Sequence, residues 1–226
     1  MIRKIAVIVA AGSGTRMGSE IPKQFLLLND KPVLAYSIDA FQEVFSDIEI
    51  RLVIPAAHQQ QAEKIRRSAR YPATIRLVIG GQTRFESVRN GLTDIPQNDA
   101  IIFVHDGVRS LVSGELIKSC YMEAVRTGTA IPVIPVNDSL RILSHGGQLE
   151  VVDREKVRVV QTPQTFRADI LLPAYEQEYR EHFTDESTVV EYFGSKVHFI
   201  PGEDFNIKIT RRIDLIIAER ILAGEK

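Results

Sequence analysis

Ile5-Ala6-Val7-Ile8-Val9-Ala10-Ala11-Gly12-Ser13-Gly14-Thr15-Arg16-Met17-Gly18 carries the pattern on which the fold turns. Ile5 to Val9 are apolar without alternation, the pattern of a strand buried on both faces, and such strands sit centrally in parallel sheets. The strand runs straight into Gly12, Gly14 and Gly18. Such a turn lets successive N–H groups face inward as an anion-binding nest. Arg16 lies inside the loop, and Lys23 stands at its far end within Ile21-Pro22-Lys23-Gln24-Phe25. A dinucleotide fingerprint would need glycine where Met17 stands, and a P-loop would need Gly-Lys-Ser/Thr. By itself the turn suits a plain strand-to-helix bend as well as a phosphate grip; the two cations favour the grip.

The rest of the chain alternates strand and helix. Helical spacing predicts a helix over Val33 to Val44, an exposed one over His58 to Arg70, and one starting at the Ser113 N-cap and reaching Arg126. Strands are expected at Ile48–Ile54, Ile75–Ile79, Ile101–Val104 and Ala130–Val136, the last at an edge or leaving the body because it holds Pro132 and Pro135. This is the order of a doubly wound, mostly parallel α/β sheet with helices on both faces, whose ligands lie beyond the carboxyl ends of the strands. From Asn137 to Val160 the grammar changes to that of an inserted β-hairpin arm turning at Ser144-His145-Gly146-Gly147. A lone hairpin is marginal in water, so its apolar face calls for a cover, such as a second subunit. A helix over Arg167–Tyr179, a helix start at Asp185-Glu186-Ser187, a short strand over Val197–Ile200 and a strand-to-helix junction at Lys208 complete the expected order.

Chemistry-bearing residues gather at strand ends. Gly80-Gly81-Gln82-Thr83-Arg84 follows one strand and leads into Ser87-Val88-Arg89-Asn90-Gly91-Leu92. Two glycines there permit close approach to a flat base, or simply a capped turn. His105-Asp106-Gly107-Val108-Arg109 follows another; Asp106 is placed to hold Mg²⁺ or a ribose hydroxyl, or to cap a turn, and His105 reads as a packed histidine.

Composition narrows the class. With 226 residues, 44% hydrophobic and 25% charged, the chain fits one large α/β domain, 1–226. Lys and Arg total 28 against 29 for Asp and Glu, so there is no basic field for nucleic acid or an anionic membrane, and anions must be held by local clusters. The single cysteine, Cys120, shares a helical stripe with Leu116, Ile117, Tyr121 and Ala124 and reads as core. Arg3-Lys4 before an apolar run imitates a signal peptide, yet the run is short and an Arg-containing glycine turn follows, so it is read as the first strand. No stretch approaches the about 18 apolar residues of a membrane span, and a cytoplasmic location is expected.

Taken together, Ala-Ala-Gly-x-Gly-Thr-Arg-Met and Pro-Lys-Gln-Phe resemble the nucleotidyltransferases that join a nucleoside monophosphate to a phosphorylated small molecule. The Pro-Lys-Gln form is similar to that of cytidylyltransferases acting on 2-C-methyl-D-erythritol 4-phosphate and on ribitol 5-phosphate. The motifs run from residue 5 to 210, through Gly-Gly-x-x-Arg-x-x-Ser-Val-x-x-Gly-Leu, His-Asp-x-x-Arg, Gln161-Thr162-Pro163-Gln164-Thr165-Phe166 and Asn206-Ile207-Lys208-Ile209-Thr210. The resemblance implies transfer of CMP from CTP to 2-C-methyl-D-erythritol 4-phosphate, releasing pyrophosphate, with Mg²⁺ as cofactor and a homodimer joined through the 137–160 arm. Ribitol 5-phosphate is the alternative acceptor; a sugar-1-phosphate nucleotidyltransferase and a regulatory module without turnover fit less well.

The same resemblance assigns Arg16 and Lys23 to catalysis, and Ala10, Ala11, Gly12, Gly14, Gly81, Gln82, Ser87 and Asp106 to the nucleotide, Asp106 also to the metal. It assigns Arg109, Ser139, Arg154 and Lys208 to the acceptor phosphate, Ser139 and Arg154 reaching over from the partner subunit. The 161–166 segment is assigned support of the site. Departures from the family pattern are Gly107, Ser110, Ser139 in place of Thr, and Phe205 where relatives often carry an acid, with Asp204 a weak substitute.

Overall fold

The computed structural model describes residues 2–12 and 21–224. Strand β1 (Arg3–Val9) forms the centre of the main sheet, flanked in parallel by β4 (Glu49–Ile54) on one side and β6 (Ala100–Asp106) on the other. β5 (Ile75–Ile79) extends the β4 side in parallel. The chain thus runs outward through β4 and β5 and returns across β1 to β6. A reversal of this kind opens a crevice at the carboxyl ends of the two central strands. Register places Val9 opposite Asp106, and Ala10 N–H donates to Val53 O at 2.8 Å, Gly80 N–H to Ile54 O and Gly107 N–H to Val9 O at 2.9 Å each. Four strands therefore end level, each delivering its following loop to one rim.

The uninterrupted apolar run of β1 reflects cover on both faces. Ala6 and Ile8 pack with Leu34, Ile38 and Phe41 of α1 (Val33–Val44), Ala62 and Ile65 of α2 (Gln59–Ser68), and Ile117 and Cys120 of α4 (Gly114–Thr127). Ile5 and Val7 pack on the other face with Phe85 and Val88 of α3 (Arg84–Leu92), Leu171 of α5 (Ala168–Ala174) and Val190 of α6 (Glu186–Tyr192). Cys120 is core, as expected, and its burial pushes the thiol pKa up to about 12. α3 lies so close to the sheet that a Cβ on Gly91 would come within 2.6 Å of Val7 Cγ1 and 3.0 Å of Val53 Cγ2.

Beyond β6 the sheet continues through β11 (Gln164–Arg167), antiparallel, to β7 (Thr129–Pro135). The expectation that β7 lies at an edge is corrected: it also pairs with β10 (Arg158–Val160) and, in parallel, with β12 (Phe199–Pro201). Its prolines are accommodated by position. Pro132 faces the interruption at 161–163 between β10 and β11, where its carbonyl accepts from Gln161 N at 2.8 Å and its missing N–H breaks no ladder. Pro135 is the last residue of the strand.

The arm follows as β8 (Leu140–Leu143) and β9 (Leu149–Val152), paired antiparallel. Two further expectations change. The helix over Arg167–Tyr179 stops at Ala174, one residue past Pro173, and its last turn is closed by Tyr175 N–H donating to Leu171 O at 3.2 Å. The 206–210 segment is no strand: its Asn206 carbonyl accepts from Arg109 Nη1 at 2.7 Å, and Ile209 N–H donates to Val108 O at 3.0 Å, which fix it without a ladder. It leads to α7 (Arg212–Leu222). A short hairpin of β2 (Leu27–Leu28) and β3 (Lys31–Pro32) precedes α1. Among the described residues no helix is long and apolar enough to cross a membrane.

His105, next to the rim, has no solvent exposure and meets Phe41 edge-on. Asp106 N–H donates to Thr162 Oγ1 at 3.0 Å, so the Thr162 hydroxyl is left to donate to His105 Nδ1 at 3.1 Å. The His105 Nε2–H then donates to the Arg109 carbonyl at 3.3 Å. This chain of bonds needs the neutral ring, and burial pushes the His105 pKa down to about 4.

Two outcomes follow from this packing. Alanine is the better helix former by about 1 kcal/mol, yet overpacking costs about 1–3 kcal/mol, so Gly91→Ala is expected to lower the urea-derived unfolding free energy by about 1 kcal/mol. A variant more stable than wild type would show that Val7 and Val53 give way. For His105, both folded and unfolded chains are neutral above pH 6.5, whereas below it the unfolded chain takes up a proton that the folded one refuses until about pH 4. Stability should therefore fall by about 3 kcal/mol from pH 6.5 to 4 through this group; His105→Asn, less stable at pH 7.5, should show a flatter profile, and parallel profiles would contradict the assignment.

Candidate active site

The level strand ends enclose a cavity of about 420 Å³. Its lining comes from Val9 to Gly12 after β1, Lys23 and Gln24, Gly81 to Arg84 and Ser87 after β5, Asp106 and Val108 after β6, and Lys208 before α7. Segments far apart in the sequence meet here because β1, β5 and β6 finish at the same height.

The double-glycine turn is built for close approach. A Cβ on Gly80 would lie 2.4 Å from the Ala11 Cβ, so only glycine lets the two loops touch. Gly81 N–H donates to Ser87 Oγ at 3.1 Å, and the Ser87 hydroxyl donates to Thr83 O at 2.9 Å. Glu86 accepts from Gln82 N at 2.7 Å and Thr83 N at 3.0 Å, while Thr83 Oγ1 accepts from Glu86 N, a reciprocal cap that starts α3. On the facing wall the buried Gln24 side chain donates to Ala10 O at 2.7 Å and Gly12 O at 3.0 Å, tying Pro22-Lys23-Gln24 to the start of the first loop. This explains the Gln of the motif: it places Lys23.

Asp106 is the charge centre. It is only 7% exposed, with Lys208 Nζ at 2.9 Å from Oδ2, Arg84 Nη2 at 3.2 Å from Oδ1 and Arg109 Nε at 3.7 Å from Oδ2. Burial pushes the Asp106 carboxyl up, but Arg84, Lys208 and Arg109 outweigh it and hold it far below the usual carboxylate range. Arg84 also pairs with both oxygens of the buried Glu186. Burial works against the Arg84 charge, and Glu186 and Asp106 together overcome it and raise its pKa.

Of the residues singled out from sequence, Ala10, Ala11, Gly12, Lys23, Gly81, Gln82, Ser87, Asp106 and Lys208 share the cavity wall. Gly14 and Arg16 lie outside the described residues. Arg109 does not line the cavity; it is buried, with Nη1 and Nη2 donating to the carbonyls of Asn206 (2.7 Å) and Val160 (3.4 Å), so it braces the floor under Asp106. Ser139 and Arg154 are exposed on and beside the arm and do not line the cavity of their own chain, and Arg154 Nη1 donates to Asn137 O at 2.8 Å. Asp204 and Phe205 are exposed and stand apart from it. Sequence reading passed over Gln24, Arg84 and Glu186; for Arg84 a signal existed, a cation directly after the cap of a helix that begins at the rim.

The profile of the IspD family, 2-C-methyl-D-erythritol 4-phosphate cytidylyltransferase, matches residues 4–224. The protein of that name from Bacteroides fragilis is 42% identical over 219 residues, spanning 97% of this chain and 99% of the other. That from Porphyromonas gingivalis is 43% identical over 223 residues, spanning 98% and 99%. Among solved structures, the 4-diphosphocytidyl-2C-methyl-D-erythritol synthase of Anaerococcus prevotii superposes with a TM-score of 0.81 at 29% identity, covering 98% of this chain and 99% of that one. The 2-C-methyl-D-erythritol 4-phosphate cytidylyltransferase of Thermus thermophilus does so with 0.75 at 29%, covering 99% and 100%. Matched from end to end in sequence and superposed over its whole α/β body, the chain belongs to the 2-C-methyl-D-erythritol 4-phosphate cytidylyltransferase family.

Proposed function

We propose that the protein transfers CMP from CTP to 2-C-methyl-D-erythritol 4-phosphate, giving 4-diphosphocytidyl-2-C-methyl-D-erythritol and pyrophosphate, a step toward isoprenoid precursors. The observation that carries this reading is one cavity that unites the double-glycine turn, Lys23, Asp106 and Lys208 in a chain matched to the family over 4–224.

An acceptor phosphate monoester is largely dianionic at neutral pH, its second pKa being about 6. Its oxygen therefore attacks the α-phosphorus of CTP without a general base, and the bond from that phosphorus to the bridging oxygen breaks to release pyrophosphate. The protein's task is to bring two polyanions together and to stabilise the charge that builds on the transferred and leaving groups. Lys23 and Arg16 are assigned to the α-phosphate and leaving group, and Lys208 to the acceptor. The amides of Gly81 and Gln82 are spent on Ser87 and Glu86, so cytosine meets this turn through its carbonyls, with Ala10 and Ala11 opposite. Arg109 serves the acceptor phosphate by holding up Asp106 and the Asn206 carbonyl.

Mg²⁺ fits a site with one hard carboxylate oxygen donor and nucleotide phosphates to complete its shell. Among the described residues no group of three His, Cys, Asp or Glu forms a protein-only cage, and Asp106 is the residue that would hold the ion, giving up a contact to Lys208 or Arg84 to do so. When bound, it supplies charge to the phosphate oxygens.

The arm makes the dimer. Val151 is paired with Arg141, and Leu149 with Leu143. Leu143, Leu149 and Val151 thus share one face and are 67%, 67% and 76% exposed. A second copy covers that face, and the partner's arm brings Ser139 and Arg154 to the acceptor phosphate. The enzyme works in the cytoplasm, where CTP is made.

Pyrophosphate release from CTP across a panel of polyol phosphates tests the reading: turnover with 2-C-methyl-D-erythritol 4-phosphate is expected, and equal use of ribitol 5-phosphate or no release at all would contradict it. Lys23→Ala should lower kcat by about 10²-fold with little change in KM; a normal kcat with raised KM would make Lys23 a binding residue. Leu149→Glu should convert dimer to monomer by light scattering and raise the KM for acceptor while CTP affinity by calorimetry is kept, whereas a fully active monomer would refute the shared site.

A further inference from the structure

A turn that meets a base through its main chain can offer donors or acceptors, and between β5 and α3 the donors are all taken. Gly80 N–H donates to Ile54 O at 2.9 Å, Gly81 N–H to Ser87 Oγ at 3.1 Å, and the N–H groups of Gln82 and Thr83 both donate to Glu86 Oε2, at 2.7 and 3.0 Å. The Ser87 hydroxyl spends its proton on Thr83 O at 2.9 Å. Among the described residues nothing donates to the carbonyls of Gly80, Gly81 or Gln82. Gly81, Gln82 and Ser87 line the cavity, so their main chain and the Ser87 hydroxyl present acceptors only. The Gln82 side chain is exposed and can turn either end of its amide to a ligand, so it does not choose.

The facing loop after β1 is the complement. Its Ala10 and Gly12 carbonyls accept from Gln24 Nε2, whereas among the described residues the N–H groups of Ala11 and Gly12 find no acceptor. Donors stand on one wall and acceptors on the other. Cytosine has that polarity, with acceptors at O2 and N3 and an amino donor at the 4-position; uracil puts a carbonyl oxygen where the amino group was. That oxygen would face carbonyls and stay unpaired.

Glu86 sets this polarity without lining the cavity. It sits under the turn because residue 81 is glycine: a Cβ there would fall 2.3 Å from Glu86 Cβ. N–H and C=O point opposite ways across a trans peptide. Drawing the Gln82 and Thr83 amides to one carboxylate therefore turns the Gly81 and Gln82 carbonyls away from it. Take the carboxylate away, and the Gly81–Gln82 peptide is free to offer its N–H to a base.

We propose that Glu86 is the residue that makes the site select cytosine over uracil, a positioning residue that acts through the Gly81–Gln82 peptide. This rests on the cytidylyltransferase reading for the class of nucleotide.

The test is calorimetric titration of the full-length protein with CTP and, separately, with UTP, both with Mg²⁺ and without acceptor. Wild type is expected to bind UTP about tenfold more weakly or worse, the scale of one polar group left unpaired. Glu86→Met keeps the length and the helix propensity but removes the acceptor; it should narrow that ratio about tenfold, chiefly by a gain in UTP affinity. Glu86→Gln retains an acceptor oxygen and should stay closer to wild type than Glu86→Met. A wild-type protein that binds both nucleotides alike overturns the proposal. So does a folded Glu86→Met protein in which both weaken together and the ratio is unmoved, the result of a lost helix cap alone, or a Glu86→Gln protein shifted as far as Glu86→Met. Should Glu86→Met fail to fold, Glu86→Ala opens the same amides with less bulk and must move the ratio in the same direction; an unchanged ratio there overturns it equally. Absence of CTP binding or of pyrophosphate release by the wild-type protein would instead remove the cytidylyltransferase reading, so the two failures are distinct.

Discussion

Asp106 is one carboxylate that answers three cations, Arg84, Lys208 and Arg109, at the point where the central sheet changes direction. The sheet sets this up. Because β6 pairs with β1 so that Asp106 stands beside Val9, the acid is carried to the same rim as the first loop, and the crevice between those strands becomes the place where opposite charges meet. Without the acid, three positive side chains from α3, the β6 loop and the 206–210 segment would repel one another. With it, they pin those segments together.

The surrounding polar framework serves the same point. Thr162 and His105 fix the turn that carries Asp106 and Arg109, and Gln161 and Arg109 grip the Asn206 carbonyl next to Lys208. Gln24 does for Lys23 what these do for Lys208. A site meant to hold two phosphorylated reactants side by side needs cations that do not relax toward each other, and buried hydrogen-bonded amides and hydroxyls supply that rigidity.

What could be read from the chain, and what could not, divides by the range of the interaction. Strand β1, helix α1 and the Ser113 cap follow from periodicity and local capping, and they stand at or within two residues of the expected bounds. Asp106 and Lys208 were legible because parallel topology sends strand ends to one edge, whatever lies between them in sequence. Pro132 was misread as an edge signal because its tolerance depends on a break in the neighbouring strand. Arg109 reads as an acceptor ligand from its motif, yet its two terminal amino groups donate to carbonyls 97 and 51 residues away. Glu186 was hidden for the same reason: a helix start with acidic residues is ordinary, and only the fold brings it against Arg84.

Asp106 neutralises its three partners in the folded state. Equilibrium urea unfolding of Asp106→Asn at neutral pH tests it most directly, since the amide keeps the shape and removes the charge. Loss of about 3 kcal/mol is expected, the cost of leaving a buried charge unpaired, and a variant within about 0.5 kcal/mol of wild type, the scale of an ordinary surface change, would contradict the account.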